Sequence, residues 1–194
     1  SIFDTTDQLS LLKQAMEDAR VDPKRFSPRA IQSAISAAKS QLLDTEAFAA
    51  RKGNYFDETV QRIYEMYELL INRNSGLDFD DLIFKAYILF DRFPEVASTY
   101  QKLYIHLMVD EFQDTNAAQY AVSKQLAAHH RNICVVGDPD QSIYAWRNAD
   151  INNILSFKKD YPDATTIPLG ENYRSTKTIL EAAKKLIVPN KKKI

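Results

Sequence analysis

Two short apolar runs, "LYIHLMV" (103–109) and "NICVV" (132–136), do most to limit what this chain can fold into. Both contain β-branched residues, and a stretch of helical length, roughly 115–129, lies between them. Strands joined by a helix-length crossover read as a βαβ unit, with parallel strands and helices over both faces of the sheet. A weaker third run, "ATTIPL" (164–169), extends the alternation, with further helices expected over about 149–160 and 176–187. Pro168 marks that run as an edge strand or a strand end, because proline has no amide to give to a ladder.

Nothing before residue 79 reads this way. "DTTDQLSLLKQAMEDA" has Leu9, Leu12 and Met16 at helical spacing, with Thr5 and Gln8 placed as a capping box. "SPRAIQSAISAAKSQLL" opens with Ser27 as N-cap and Pro28 at the first helical position. "FDETVQRIYEMYELLINRN" carries Val60, Ile63, Tyr64, Tyr67, Leu70 and Ile71 on one face and stops before Gly76. The expected fold class is therefore α/β: a helical bundle followed by a partial parallel sheet flanked by helices.

Bulk properties exclude several classes. The formal net charge of −1 carries no general nucleic-acid signature. One cysteine, Cys134, leaves no internal disulfide and fits a reducing compartment. No apolar stretch approaches the roughly 18 residues of a membrane span, and "LIFKAYILF" is interrupted by Lys85. The first residues lack the basic and apolar regions of a signal peptide. A cytoplasmic protein with no membrane partner is expected. The terminal "NKKKI" is most simply a solvated end.

Chemistry collects where the strands end. Ligands of open parallel sheets bind beyond the carboxyl ends of the strands, and two strands here end in acids: Val109-Asp110-Glu111 and Val136-Gly137-Asp138-Pro139-Asp140-Gln141. Such a carboxylate pair suits a divalent metal and a water to activate. The plainer reading is that Asp110 and Glu111 cap the next helix. In "QSIYAWRNAD" (141–150), Tyr144, Trp146 and Arg147 follow a strand, and exposed aromatics can stack on single-stranded bases. The plainer reading there is a Trp146 packed beneath the following helix. "ENYRST" (171–176) places Tyr173 and Arg174 before a helix that Ser175 or Thr176 could cap, and a guanidinium suits a phosphate.

Taken in order, these stretches resemble the UvrD/Rep/PcrA group of superfamily 1 DNA helicases. "VDEFQDTN" is similar to motif II, "VVGDPDQSIYAWRNAD" to motif III and "LGENYRST" to motif IV, and "LDFDDLI" (77–83) to the segment leading back into the first motor domain. The resemblance implies a RecA-like motor using ATP and Mg²⁺ on single-stranded and duplex DNA. It implies that Asp110 holds Mg²⁺, with Glu111 nearby polarising the attacking water. Gln141 would sense the γ-phosphate and link it to the DNA site, Trp146 and Tyr144 would stack on bases, and Arg147 would bridge the nucleotide and DNA sites. Tyr173 would stack on adenine and Arg174 would contact the γ-phosphate. Gln113 and Asp114 would fix the turn into a helix begun by Thr115 or Asn116, with Gln113 linked to neighbouring motifs. Two departures touch none of these roles: Asn148 stands where the group more often has glycine, and "LGENYRS" replaces the commoner L-E-Q-N-Y-R-S.

By the same resemblance, residues 1–79 correspond to the helical insertion 1B, 80–168 to the second part of motor domain 1A, and 169–194 to the start of 2A. A P-loop, G-x-x-x-x-G-K-S/T, is not found: none of the four glycines precedes a lysine. In the group it lies upstream, so the chain is expected to be a piece of a helicase, inactive by itself and prone to associate through unpaired sheet edges. The alternatives are a non-catalytic DNA-binding module and an unrelated Mg²⁺-dependent nuclease or phosphatase. The last leaves "QSIYAWR" and "NYRS" unexplained. Residues 1–79 hold 10 Lys and Arg against 12 Asp and Glu, which implies weak DNA binding at most.

Overall fold

Apolar residues recur every three or four positions through the first half of the chain, and they bury one stripe of each of the longer helices there. The computed structural model describes residues 1–51 and 53–187. Its first compact unit, residues 1–107 with 116–132, contains α1 (Thr5–Asp18), α2 (Pro28–Ser40), α3 (Thr45–Ala49), α4 (Tyr55–Arg73), α5 (Phe79–Arg92), α6 (Pro94–Leu103) and α7 (Ala117–Ala127). All six residues expected on one face of α4 are buried, and they pack with Leu12, Met16 and Ile31 of α1 and α2. Each fully buried side chain of this size contributes about 1.5–3 kcal/mol.

The helix ends depart from expectation in detail. The cap of α1 is Asp4 rather than Thr5: its carboxylate accepts the amides of Thr6 and Asp7, while Asp7 accepts the Asp4 amide in return. A carboxylate at this place also faces the positive end of the helix dipole, which favours it over the threonine beside it. Along α1, Leu9 is only half-buried, and Leu11, Leu12, Ala15 and Met16 form the buried stripe. Ser27 holds the extended N-cap geometry with Pro28 behind it but makes no side-chain cap bond. After α4 the left-handed position is taken by Ser75, φ 48°, rather than by Gly76. Gly76 is needed for space, since a Cβ there would lie 2.6 Å from Phe3 Cε1.

This core also holds charge. Lys39, fully enclosed, places its ammonium 2.8 Å from Glu68, 2.9 Å from Asp78 and 2.9 Å from Asp81. Asp78 and Asp81 cap α5 reciprocally through each other's amides, and the Tyr67 hydroxyl donates to Asp78 at 2.9 Å. Burial opposes the Lys39 charge, but Asp78, Glu68 and Asp81 outweigh it and hold the ammonium far above the usual lysine range. Burial pushes the Asp81 carboxyl upward, with Lys39 working against that shift.

The second unit comprises Met108–Thr115 and the chain from Ile133 onward. Strands β1 (Leu107–Val109) and β2 (Ile133–Val135) form a two-stranded parallel sheet. The Val136 amide bonds the Val109 carbonyl at 2.8 Å, and the Phe112 amide bonds the Val136 carbonyl at 2.9 Å. The α/β class is as expected: helices and a partial parallel sheet. The third strand is not formed. Among the described residues, 164–169 joins no ladder, and Ile167 and Leu169 are 75% and 82% exposed. With no neighbouring strand beside it, and with Pro168 unable to donate, the run has nothing to pair with.

The helix expected over 149–160 is broken into α8 (Asn152–Leu155) and α9 (Phe157–Asp160). Its polar side chains bond backbone instead of leaving the helix ladder intact: Ser156 Oγ donates to the Asn152 carbonyl and Asn153 Nδ2 to the Thr115 carbonyl. Phe112, fully buried, meets Phe157 edge-on at 5.7 Å, and Phe157 stacks on Tyr161 at 4.7 Å. The last helix is α10 (Lys177–Ile187), close to its expected span. The terminal "NKKKI" lies outside the described residues. Among those residues no helix is long and apolar enough to cross a membrane.

Candidate nucleotide and nucleic-acid site

The expected site residues lie in the second unit. After β1 the chain reverses at Glu111, which adopts the left-handed conformation, φ 49° and ψ 42°. That conformation costs a residue other than glycine about 1–2 kcal/mol. The turn is held on both sides: Asp110 Oδ1 accepts the Glu111 amide at 2.9 Å, and the next amide, of Phe112, bonds the end of β2. Strain of this kind, fixed by its surroundings, is common at ligand sites.

Asp110 and Glu111 are both exposed. They do not cap α7, whose N-cap is Asn116 in a reciprocal box with Gln119. The plainer reading of the acidic pair is thereby removed. Thr115, the other candidate for starting that helix, instead donates its hydroxyl to the Phe112 carbonyl at 2.7 Å.

Between the two strand ends lies Gln113, 1% exposed. Its Nε2 donates to Glu111 Oε2 at 2.8 Å and, more weakly, to Asp114 Oδ2 at 3.3 Å. Its Oε1 accepts the Asp138 amide at 3.0 Å. Asp138 in turn caps the short turn Pro139–Gln141, and its Oδ2 accepts from Gln141 Nε2 at 2.8 Å. A continuous chain of hydrogen bonds thus joins Glu111 to Gln141 through Gln113 and Asp138. Gly137 makes room for it: a Cβ there would lie 2.5 Å from Gln113 Oε1 and 2.9 Å from Ile154 Cδ1.

The turn Ala145–Arg147 presents its aromatic groups outward. Trp146 is 75% exposed, so it is not packed beneath a helix, and Tyr144 is 37% exposed. Their rings lie 6.2 Å apart, and the Arg147 guanidinium sits 5.1 Å from the Trp146 ring and 5.8 Å from the Tyr144 ring. Asn148 closes the turn at φ 65°. That left-handed position suits glycine best and asparagine next, which accounts for the Asn148 departure noted in the sequence. Tyr173 is 93% exposed. Asn172 Oδ1 accepts the amides of Arg174 and Ser175 before α10, so Asn172 supplies the side-chain acceptor expected from Ser175 or Thr176. Among the described residues, no hydrogen bond or ion pair joins Tyr173 or Arg174 to the Glu111–Gln141 network.

The donor set fits a hard divalent cation that takes most of its ligands from phosphate and water. Mg²⁺ is ordinarily held by one or two carboxylates in this way. Asp110 offers an exposed carboxylate, and Asp114 Oδ1 is buried without a hydrogen-bond partner. Among the described residues there is no group of three or more acidic, histidine or cysteine side chains that could enclose a metal.

Fold and site together describe an α/β protein with exposed carboxylates at the end of a parallel strand and an exposed aromatic turn. The chain belongs to the UvrD/REP helicase family, whose N-terminal domain matches residues 1–162. It is 53% identical over 190 residues to the ATP-dependent DNA helicase PcrA of Bacillus subtilis, covering 98% of this chain and 26% of that protein. It is 50% identical over 191 residues to the protein of the same name from Staphylococcus aureus, strain Mu50, and 48% over 190 residues to that of Staphylococcus epidermidis. The chain thus spans about a quarter of the length of the curated relatives it matches.

Sequence reasoning singled out Glu111 and Gln141 at strand ends and Trp146 in the loop that follows but did not see the Lys39 cluster. Two signals were available. Lys39 interrupts an apolar helical stripe, and Asp78 and Asp81 have the three-residue spacing of a capping box.

Proposed function

We propose that this chain is part of an ATP-dependent DNA helicase that translocates 3′ to 5′ on single-stranded DNA and separates duplexes, in DNA repair or replication restart. The observation that carries this reading is the hydrogen-bonded link between Glu111 and Gln141, which unites two strand ends under exposed carboxylates. Residues 1–79 serve as subdomain 1B, 80–168 as the second part of 1A, and 169–194 as the start of 2A.

In this reading Asp110 holds Mg²⁺, which supplies neutralisation of phosphate charge when bound. Glu111 accepts a proton from the attacking water through Oε1, its Oε2 being engaged by Gln113. Gln141 is a hydrogen-bond donor that exchanges Asp138 for the γ-phosphate and so couples nucleotide state to its loop. Arg174 balances the negative charge on the γ-phosphate and Tyr173 stacks on adenine. Trp146 and Tyr144 stack on bases, and Arg147, already against both rings, bridges the DNA and nucleotide sites.

The full-length protein is expected to hydrolyse ATP in the presence of Mg²⁺, faster with single-stranded DNA. The 194-residue chain, which holds no P-loop motif, is expected to show no turnover. Turnover by the isolated chain that Glu111→Gln abolishes would contradict the division of labour proposed here. A second reading, DNA binding by the chain without catalysis, is favoured by the 75% exposure of Trp146. Fluorescence anisotropy with a single-stranded oligonucleotide tests it. Loss of about 1–3 kcal/mol of affinity in Trp146→Ala supports stacking, and an unchanged affinity removes Trp146 from the DNA site.

A further inference from the structure

Gln113 is an amide buried among carboxylates, and its orientation follows from its neighbours. Its nitrogen faces Glu111 Oε2 and Asp114 Oδ2, and its oxygen faces the Asp138 amide. The flipped amide would set oxygen against two carboxylates and NH₂ against an N–H, so every contact would be repulsive. Only one rotamer satisfies the site. The surroundings also leave it no freedom to move: Gln113 is 1% exposed, and the missing Cβ at Gly137 is the space that Oε1 occupies.

We propose that Gln113 is a positioning residue for water activation, fixing the Glu111 carboxylate and joining it to the loop that carries Gln141. This rests on the reading of Glu111 as general base. In that step the water oxygen bonds to the γ-phosphorus, the bond from that phosphorus to the β–γ bridging oxygen breaks, and ADP departs. The water proton passes to Glu111 Oε1, which has no hydrogen-bond partner among the described residues. One oxygen of Glu111 is thus bound to protein and the other is left for the proton. Because the same amide accepts from Asp138, a shift of the 137–141 loop moves the general base with it. Nucleotide sensing at Gln141 and proton acceptance at Glu111 are mechanically one unit.

The test compares Gln113→Met and Gly137→Ala in the full-length protein, measuring kcat and KM for ATP. Met removes all three side-chain hydrogen bonds at similar volume, and the alanine methyl displaces the same amide from outside. Both variants are expected to lower kcat, Gln113→Met by about 10- to 100-fold, with KM for ATP within about twofold. With kcat taken per folded molecule, a merely structural defect that lowers the amount of folded protein would not give this split between kcat and KM. Gly137→Ala should show the smaller loss of kcat. An unchanged kcat, or a loss carried by KM, would overturn the proposal. If Gln113→Met does not fold, the kcat and KM of Gly137→Ala decide the question alone. Glu111→Gln separates the two levels. If it turns over normally, the reading of Glu111 fails; if it is inactive while Gln113→Met keeps wild-type kcat and KM, only the positioning role fails.

Discussion

The chain contains two close pairs of acids in opposite circumstances. Asp78 and Asp81 are buried in the helical unit, each 2.9 Å from the Lys39 ammonium and each bonded to the other's amide. Asp110 and Glu111, in the strand-end unit, are exposed, and each makes one recorded side-chain hydrogen bond. A buried carboxylate is tolerable only when its lone pairs are satisfied, and the first pair meets that condition through α2 and α5. The second pair is held in place by its backbone, at the cost of a left-handed Glu111, and keeps oxygen atoms available. The same residue types are enclosed and paired in one place and exposed in the other.

The comparison breaks most readily at Lys39. Lys39→Met leaves Asp78 and Asp81 buried without their cation and is expected to cost about 3–5 kcal/mol. Urea unfolding should show a lower midpoint at unchanged slope; a loss below about 1 kcal/mol would mean that the cluster does not organise the core. At the strand ends the corresponding structural element is close packing around Gly137 rather than charge. Gly137→Ala is expected to cost about 1–3 kcal/mol through the clash with Gln113 and Ile154, read by the same titration. No change would show that the loop yields freely.

Alkaline titration sharpens the contrast further. Lys39 binds its proton more tightly in the folded chain, where three carboxylates overcome the cost of burial. Tyr64 and Tyr67 are raised too, chiefly by burial, with Asp78 adding to Tyr67. A raised group contributes in full below its unfolded value, about 10 for tyrosine and 10.4 for lysine, and the contribution is lost above it. Stability from these groups should therefore be flat from about pH 7 to 9. Beyond about pH 10 it should fall by about 1.4 kcal/mol per pH unit for each group. A fall that begins near pH 8 would contradict the protonation assigned to the cluster.

Legibility in the sequence followed the range of the interaction concerned. The buried face of α4 was readable because six apolar residues repeat at helical spacing and face one core. The strand-end acids were readable because an apolar run stops abruptly at Asp110 and Glu111. Helix ends were harder. Arg20, Leu42 and Ser75 take left-handed positions after α1, α2 and α4, without the glycine that normally marks such a stop. The run at 164–169 has strand-like composition, but a strand also needs a neighbour, and composition carries no information about one. The Lys39 cluster joins residues 39 and 42 positions apart, a relation no local pattern reveals. The bond from Gln113 to Asp138 spans 25 positions; the resemblance implied a link from Gln113 to neighbouring motifs, but its partner atom was not legible.

The proposal that Glu111 serves chemistry more than stability is tested most directly on Glu111→Gln in the full-length protein. Unfolding stability and Mg²⁺-dependent ATP turnover should be measured on the same preparation. The expected result is stability within about 0.5 kcal/mol of the parent, as for an exposed side chain, with turnover lower by about 10²–10⁴-fold. Normal turnover, or a loss of activity matched by a loss of several kcal/mol in stability, would contradict it.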